Sequence, residues 1–335
     1  MAFLKNLEKK GRRRAAAVVP YFLRDEKGII PSDPSRILVI RTDNRLGNLV
    51  LLEPLLRSIK ERFSSAELDI LASDRFSELL ECQGYNVIKV NKKRQIRNPA
   101  DFFTLIRKLR DRSYEVAIDA AHPHSFSLSG AVTTFLSGAG CRISTDAGNS
   151  SGWYTHTVPE PPFDWHESRA LHFMGSVWES WPAWSPPELQ TPHADKRDAA
   201  GLHVGASGSK KYPLEYFEKL IDRICRMVIL EIYWGNADER ETAEYLGRRY
   251  PVAVVPELSI AGLIKRIASL RLFITPDNGP MHIASAVSVP VIALFRIDNR
   301  DRFKPLSKGS EALYVREGSD PEEAVAAVMR ALDRY

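Results

Sequence analysis

The stretch from Arg271 to Phe295, RLFITPDNGPMHIASAVSVPVIALF, constrains this chain more than any other. Leu272, Phe273 and Ile274 form an apolar strand that breaks at Pro276, and Asp277-Asn278-Gly279-Pro280 supplies a turn. Met281 to Val287 reads as a helix, and Val291 to Phe295 as a second buried strand. Strand, tight turn, helix and strand in that order make a parallel unit with a right-handed crossover. The glycine-bearing turn falls at the helix N-terminus, where unpaired N–H groups and the helix dipole favour an anion. Asp277 is a poor phosphate ligand but a good acceptor for sugar hydroxyls, and His282 lies one turn into the helix. Together they read as a site for a sugar attached to a phosphate. An ordinary capped turn uses the same residue types.

Strands alternate with helices through both halves. Strands are expected at Arg36 to Arg41, Leu68 to Leu71, Val87 to Val90 and Val116 to Asp119, and again at Leu202 to Val204, Val228 to Trp234 and Val252 to Val255. Helical patterns lie between them, including Leu49 to Phe63, Phe102 to Arg110, Leu214 to Cys225 and Glu239 to Arg248. Such alternation implies an α/β chain with parallel sheets covered on both faces. Trp181 to Ala200 is rich in proline (Pro182, Pro186, Pro187, Pro192) and lacks periodicity, so it reads as a linker. The expected organisation is a basic segment over 1–35, one domain over 36–180, the linker over 181–200 and a second domain over 201–335.

The chain has 335 residues and a net charge of +5, so an anionic partner such as a nucleotide-sugar or acidic lipid fits its balance. Nucleic acid fits less well, because no recognised binding motif accompanies the charge. Cys82, Cys141 and Cys225 show no paired spacing, which suggests reduced thiols and a cytoplasmic location. No apolar run approaches the roughly 20 residues of a spanning helix. Near the start, Lys5, Lys9, Lys10, Arg12, Arg13 and Arg14 crowd around Phe3, Leu4 and Leu7. Residues 3–22 therefore read either as a basic amphipathic helix on an anionic membrane surface or as a solvated tail.

Four motifs in order, R-T-D-x-x-L-G from Arg41, H-x-G-A-S-x-x-x-K-x-P from His203, W-G-x-x-x-E from Trp234 and D-N-G-P-M-H-x-A from Asp277, closely resemble those of the ADP-heptose:lipopolysaccharide heptosyltransferases, glycosyltransferase family 9. The resemblance implies a GT-B fold, two doubly wound Rossmann-like domains with a cleft between them. It also implies inverting sugar transfer from a nucleotide-diphosphate donor, ADP-linked, to a cell-envelope glycolipid or polysaccharide, with no metal or other cofactor. Under it Ser207 and Lys211 bind the diphosphate, with Lys210 the neighbouring spare. Glu239 takes the ribose hydroxyls, and Asp277, Asn278, Gly279 and His282 line the donor site.

Two departures from the family pattern stand out. The family's catalytic Asp in R-x-x-x-x-L-G-D is Asn48 here, and an amide accepts no proton at neutral pH. Asp43 in the same loop, or His122 or His124 at a strand end, are the substitutes; otherwise the chain is a nucleotide-sugar-binding paralogue without catalysis. His122-Pro123-His124 could chelate a metal, but lacks companion ligands at suitable spacing, so acceptor binding or base duty is the preferred reading. The last strand continues Arg296-Ile297-Asp298 where relatives carry G-P-T, which would alter the donor pocket.

Overall fold

The computed structural model describes residues 28–148, 152–191 and 194–334. The amphipathic segment expected over 3–22 lies outside them. Two compact units emerge among the described residues, one within 28–44 and 52–185, the other within 45–51 and 186–334. Each is built on its own six-stranded parallel sheet.

The first unit runs β1 (Arg36–Arg41), α1 (Leu46–Arg62, whose first turn belongs to the second unit), β2 (Glu67–Ser73), α2 (Glu78–Glu81), β3 (Asn86–Val90), α3 (Lys92–Arg97), α4 (Pro99–Asp111), β4 (Val116–Asp119), α5 (Leu128–Leu136), β5 (Cys141–Thr145), β6 (His156–Val158) and α6 (Glu167–His172). The second has β7 (Ala199–His203), α7 (Leu214–Ile224), β8 (Ile229–Tyr233), α8 (Ala237–Arg249), β9 (Ala253–Val254), α9 (Ile260–Ala268), β10 (Leu272–Pro276), α10 (Gly279–Ala286), β11 (Val291–Phe295), α11 (Arg300–Phe303), β12 (Glu311–Tyr314) and α12 (Glu322–Arg334).

Strand order is β3-β2-β1-β4-β5-β6 in one sheet and β12-β11-β10-β7-β8-β9 in the other. Both are doubly wound. Their order reverses between β1 and β4 (Ile40 beside Asp119) and between β7 and β10 (Leu202 beside Ile274). At such switch points the flanking crossovers diverge to opposite faces and leave a crevice at the carboxyl ends of the strands.

The strands read as continuous apolar runs because both faces are covered. Leu38, Ile40, Leu71, Ile88, Leu109 and Ala117 sit in the core of the first unit. In the second, α7 turns Phe217, Leu220, Ile221 and Ile224 onto Leu202, Ile232 and Ile274, the i, i+3, i+4 spacing that gives a helix one apolar face. The 181–198 stretch forms no helix or strand among its described residues, and β7 begins at Ala199.

Candidate functional site

The Asp277 turn is tighter than its sequence suggests. Asn278 is the N-cap of α10, its side-chain oxygen accepting the Met281 N–H at 3.1 Å, and Gly279 and Pro280 already belong to the helix. Proline is suited to that first turn, where its missing N–H has no partner to lose. The Asn278 side-chain nitrogen donates to the Gly205 carbonyl at 2.8 Å and to His203 Nδ1 at 3.1 Å. Gly205 N–H also donates to His203 Nδ1, at 3.0 Å, so the imidazole proton is assigned to Nε2. One amide thus ties the end of β10 to the loop after β7, across the switch point of this sheet.

That loop carries the two lysines. Gly208–Lys210 forms a 3₁₀ turn, and the Lys210 ammonium forms an ion pair with the buried Asp277 carboxylate. Lys211 is exposed; its carbonyl accepts from Arg296 Nη1 at 2.6 Å, and its charge acts on Glu239. Ser207 is exposed beside them. Arg296 also meets Glu317 at 3.2 Å and lies 5.6 Å above the Tyr212 ring, so it clamps the lysine loop.

Glu239, in the first turn of α8, accepts the Gly235 N–H at 2.8 Å. Burial raises its carboxyl above the usual range, against that hydrogen bond and the Lys211 charge. It lies directly over Gly205, where an added Cβ would collide with the carboxylate and displace it from this position. Burial, helped by the Lys210 charge, pushes the His282 imidazole down to about 3. It is therefore neutral at physiological pH.

The first turn of α1, with Arg45-Leu46-Gly47-Asn48, packs on this same turn within the second unit. A Cβ on Gly47 would stand 2.6 Å from His282 Cδ2, and one on Gly279 would stand 2.9 Å from Leu46 Cβ. Two glycines therefore let the backbones close. Asn48, half-buried, donates its backbone N–H to Arg45 O at 3.1 Å. Asp277, Asn278, Gly279, His282, Lys210 and Glu239 thus share one end of the second sheet with the Asn48 turn.

Asp43 and His122 belong to the first unit, at the carboxyl ends of β1 and β4. The fully buried Arg41 side chain donates to the Ala120 carbonyl and meets Asp43 at 2.6 Å, so it fixes the Asp43 carboxylate. Lys92 follows β3 and is acted on by Asp43 and Asp119. His122 Nδ1 accepts the His124 N–H at 3.1 Å, and its Nε2 lies 3.9 Å from the buried Glu167. His124 is paired instead with Glu160, at 3.3 Å. No group of three or more metal-ligating side chains is arranged to hold an ion among the described residues.

Residues 102–330 match the sequence profile described as "Glycosyltransferase family 9 (heptosyltransferase)". The chain belongs to this family. Among curated relatives, the lipopolysaccharide heptosyltransferase 1 of Pseudomonas aeruginosa is 38% identical over 96 residues, 28% of this chain and 27% of that protein. Lipopolysaccharide heptosyltransferase 3 of Escherichia coli is 24% identical over 288 residues, 78% of this chain and 84% of that protein. The first three relatives, including two E. coli heptosyltransferases 1, are each matched over less than a third of their own length (27%, 31% and 30%). Among solved structures, E. coli heptosyltransferase WaaC with ADP superposes with a TM-score of 0.76 at 16% identity, covering 88% of this chain and 99% of that one. That likeness shows the fold, which is GT-B.

Within this family member, sequence reading missed Asp119. It lies at the end of β4, buried, accepting from Tyr154 Oη at 2.6 Å and from the Ala121 N–H at 3.1 Å. Burial pushes its carboxyl up to about 6, opposed by Tyr154, Ala121, Arg41 and Lys92. The native state therefore holds this proton more tightly than the unfolded chain does. Its contribution is present below the unfolded value near 3.8 and is lost as pH rises through about 6, a loss of up to about 3 kcal/mol. Asp119→Asn is expected to raise the melting temperature above pH 6.5 relative to wild type and to give no gain at pH 4. A pH-independent difference would contradict the assignment.

Proposed function

We propose that this protein transfers a heptose, with inversion and without a metal ion, from ADP-heptose to a cell-envelope glycolipid, the second unit binding the donor and the first the acceptor. The observation that carries the reading is the packing of the 45–48 turn on the Asp277–His282 turn, with Lys210 paired to Asp277 beside it. The relatives named above are lipopolysaccharide heptosyltransferases, which supports the choice of sugar and acceptor. In this scheme an acceptor hydroxyl attacks the anomeric carbon and gives its proton to a carboxylate. The bond from that carbon to the diphosphate breaks, and ADP leaves with the electron pair. Lys210, Lys211 and the N-terminus of α10 stabilise the charge that develops on the leaving phosphate. Asp277 and neutral His282 orient sugar hydroxyls, and Glu239 takes the ribose. We assign the base to Asp43, since Asn48 cannot serve.

Asn48 also favours a second reading, a paralogue that binds the nucleotide-sugar without turning it over. Supplying ADP-heptose and a lipopolysaccharide-core acceptor and measuring ADP release separates the two; binding without release establishes the second. For the donor site, calorimetric titration of Lys210→Ala should show ADP-heptose affinity weakened by about 10- to 100-fold, as expected for a lost charge-assisted contact of about 1.5–3 kcal/mol. Lys211→Ala should weaken it less. The opposite order would return the phosphate contact to Lys211.

A further inference from the structure

We propose that the outer face of α3 and α4 in the first unit is the surface by which the protein rests on a bilayer rich in anionic phospholipid. The segment from Lys93 to Arg112 carries seven basic residues against two acidic ones, an excess of five, equal to the net charge of the whole chain. The side chains of Lys93, Arg97, Arg107 and Lys108 are exposed and form no ion pair or hydrogen bond with another described residue. Cations in structural pairs look different, as Arg94 does against Asp101.

The helix geometry sorts this charge to one side. Leu105, Ile106 and Leu109 turn inward from α4, whereas Phe103 and Arg107, one turn apart, face outward. Phe103 is 70% exposed, one helical turn before Arg107. Beyond an edge contact with Phe102 at 6.2 Å the Phe103 ring stays in water, whereas at a bilayer interface it would be withdrawn from water while cationic neighbours meet phosphates. Beside this helix, a groove of about 390 Å³ is floored by Ile88, Val90 and Leu105; Lys108 stands on its rim, Lys89 and Arg94 there are paired with Glu81 and Asp101, and Asp74 also lines it. Charge complementarity and an exposed aromatic together favour a bilayer over nucleic acid. The inference rests on the reading that the acceptor is a membrane glycolipid, and adds a surface distinct from residues 3–22.

The test is co-sedimentation of the full chain with phosphatidylcholine vesicles, with and without phosphatidylglycerol. Each basic side chain near an anionic surface contributes a factor of about five, so the combined Arg97→Gln, Arg107→Gln, Lys108→Gln variant should bind the anionic vesicles about 100-fold more weakly. Phe103→Ser should weaken binding about ten-fold. Donor affinity in solution should stay unchanged in both variants, and it reports on the glycosyltransferase reading separately from the vesicle result. Unchanged vesicle binding by the triple variant, or equal binding to pure phosphatidylcholine, would overturn the proposal. So would a labelled oligonucleotide whose affinity falls with the triple variant while vesicle binding does not.

Discussion

Asp43→Asn is expected to lower turnover by about 10²–10⁴-fold with little change in ADP-heptose affinity, the range that a general base contributes. The carboxylate stands in the loop after β1, at the switch point of the first sheet, and buried Arg41 holds it from below. Asparagine keeps the size and the hydrogen-bonding reach but loses the proton acceptor. The effect therefore belongs in kcat, measured as ADP release at saturating donor and acceptor. Asn48→Asp restores a carboxylate on the turn that packs against Gly279 and His282, and should preserve or raise the rate. Full activity in Asp43→Asn would shift the role to His122 or His124. A silent wild type that gains turnover with Asn48→Asp would establish the binding paralogue.

Acid is expected to unfold the protein well before its carboxylates are all protonated. Burial pushes the imidazoles of His203 and His282 down to about 4 and about 3, and that of His172 to about 4. Each depressed group binds its proton more weakly in the native state than in the unfolded chain. Stability is thus complete above the unfolded value of 6.5 and is lost as pH falls toward the folded values. At about pH 5 the wholly buried pair, His203 and His282, together cost about 4 kcal/mol. That is a large share of the roughly 5–15 kcal/mol typical of a folded protein. Urea midpoints at about pH 7.5, 6 and 5 should fall steeply, and the double variant His203→Gln, His282→Gln should flatten the slope. A wild-type profile level across that range would refute this. Asp119 shifts the other way over roughly pH 4 to 6, so the profile of Asp119→Asn should be steeper still.

The alternation of strands and helices was legible because parallel strands covered on both faces must be apolar throughout, and helices must show a face. Leu272–Pro276, α10 and Val291–Phe295 appear where their residues place them. The site was harder to read for local reasons. Lys210 and Lys211 differ by one step along a 3₁₀ turn, and only the fold shows that it is Lys210 that reaches Asp277. Asp119 ends β4 and Tyr154 lies 35 residues on, in the connection from β5 to β6; they meet because β4, β5 and β6 are consecutive in the sheet. Arg41 looks in sequence like any surface charge, yet its side chain is wholly buried. The basic run of α3 and α4 carried no motif, so its clustering became meaningful only once Phe103 was seen to face outward.

The assignment of residues 45–51 to the second unit bears on how this protein can be dissected. A fragment beginning at Pro186 contains all six strands of its sheet and is the obvious piece to choose for ligand screening. It would nevertheless lack Leu46 and Gly47, and so bare the backbone of Gly279 and one edge of the His282 ring. Under the proposed donor site, truncation there removes part of the wall that a screened nucleotide would meet. A faithful minimal receptor needs the 45–51 peptide restored, by circular permutation or as a separate length of synthetic chain, before its affinities stand for those of the intact protein.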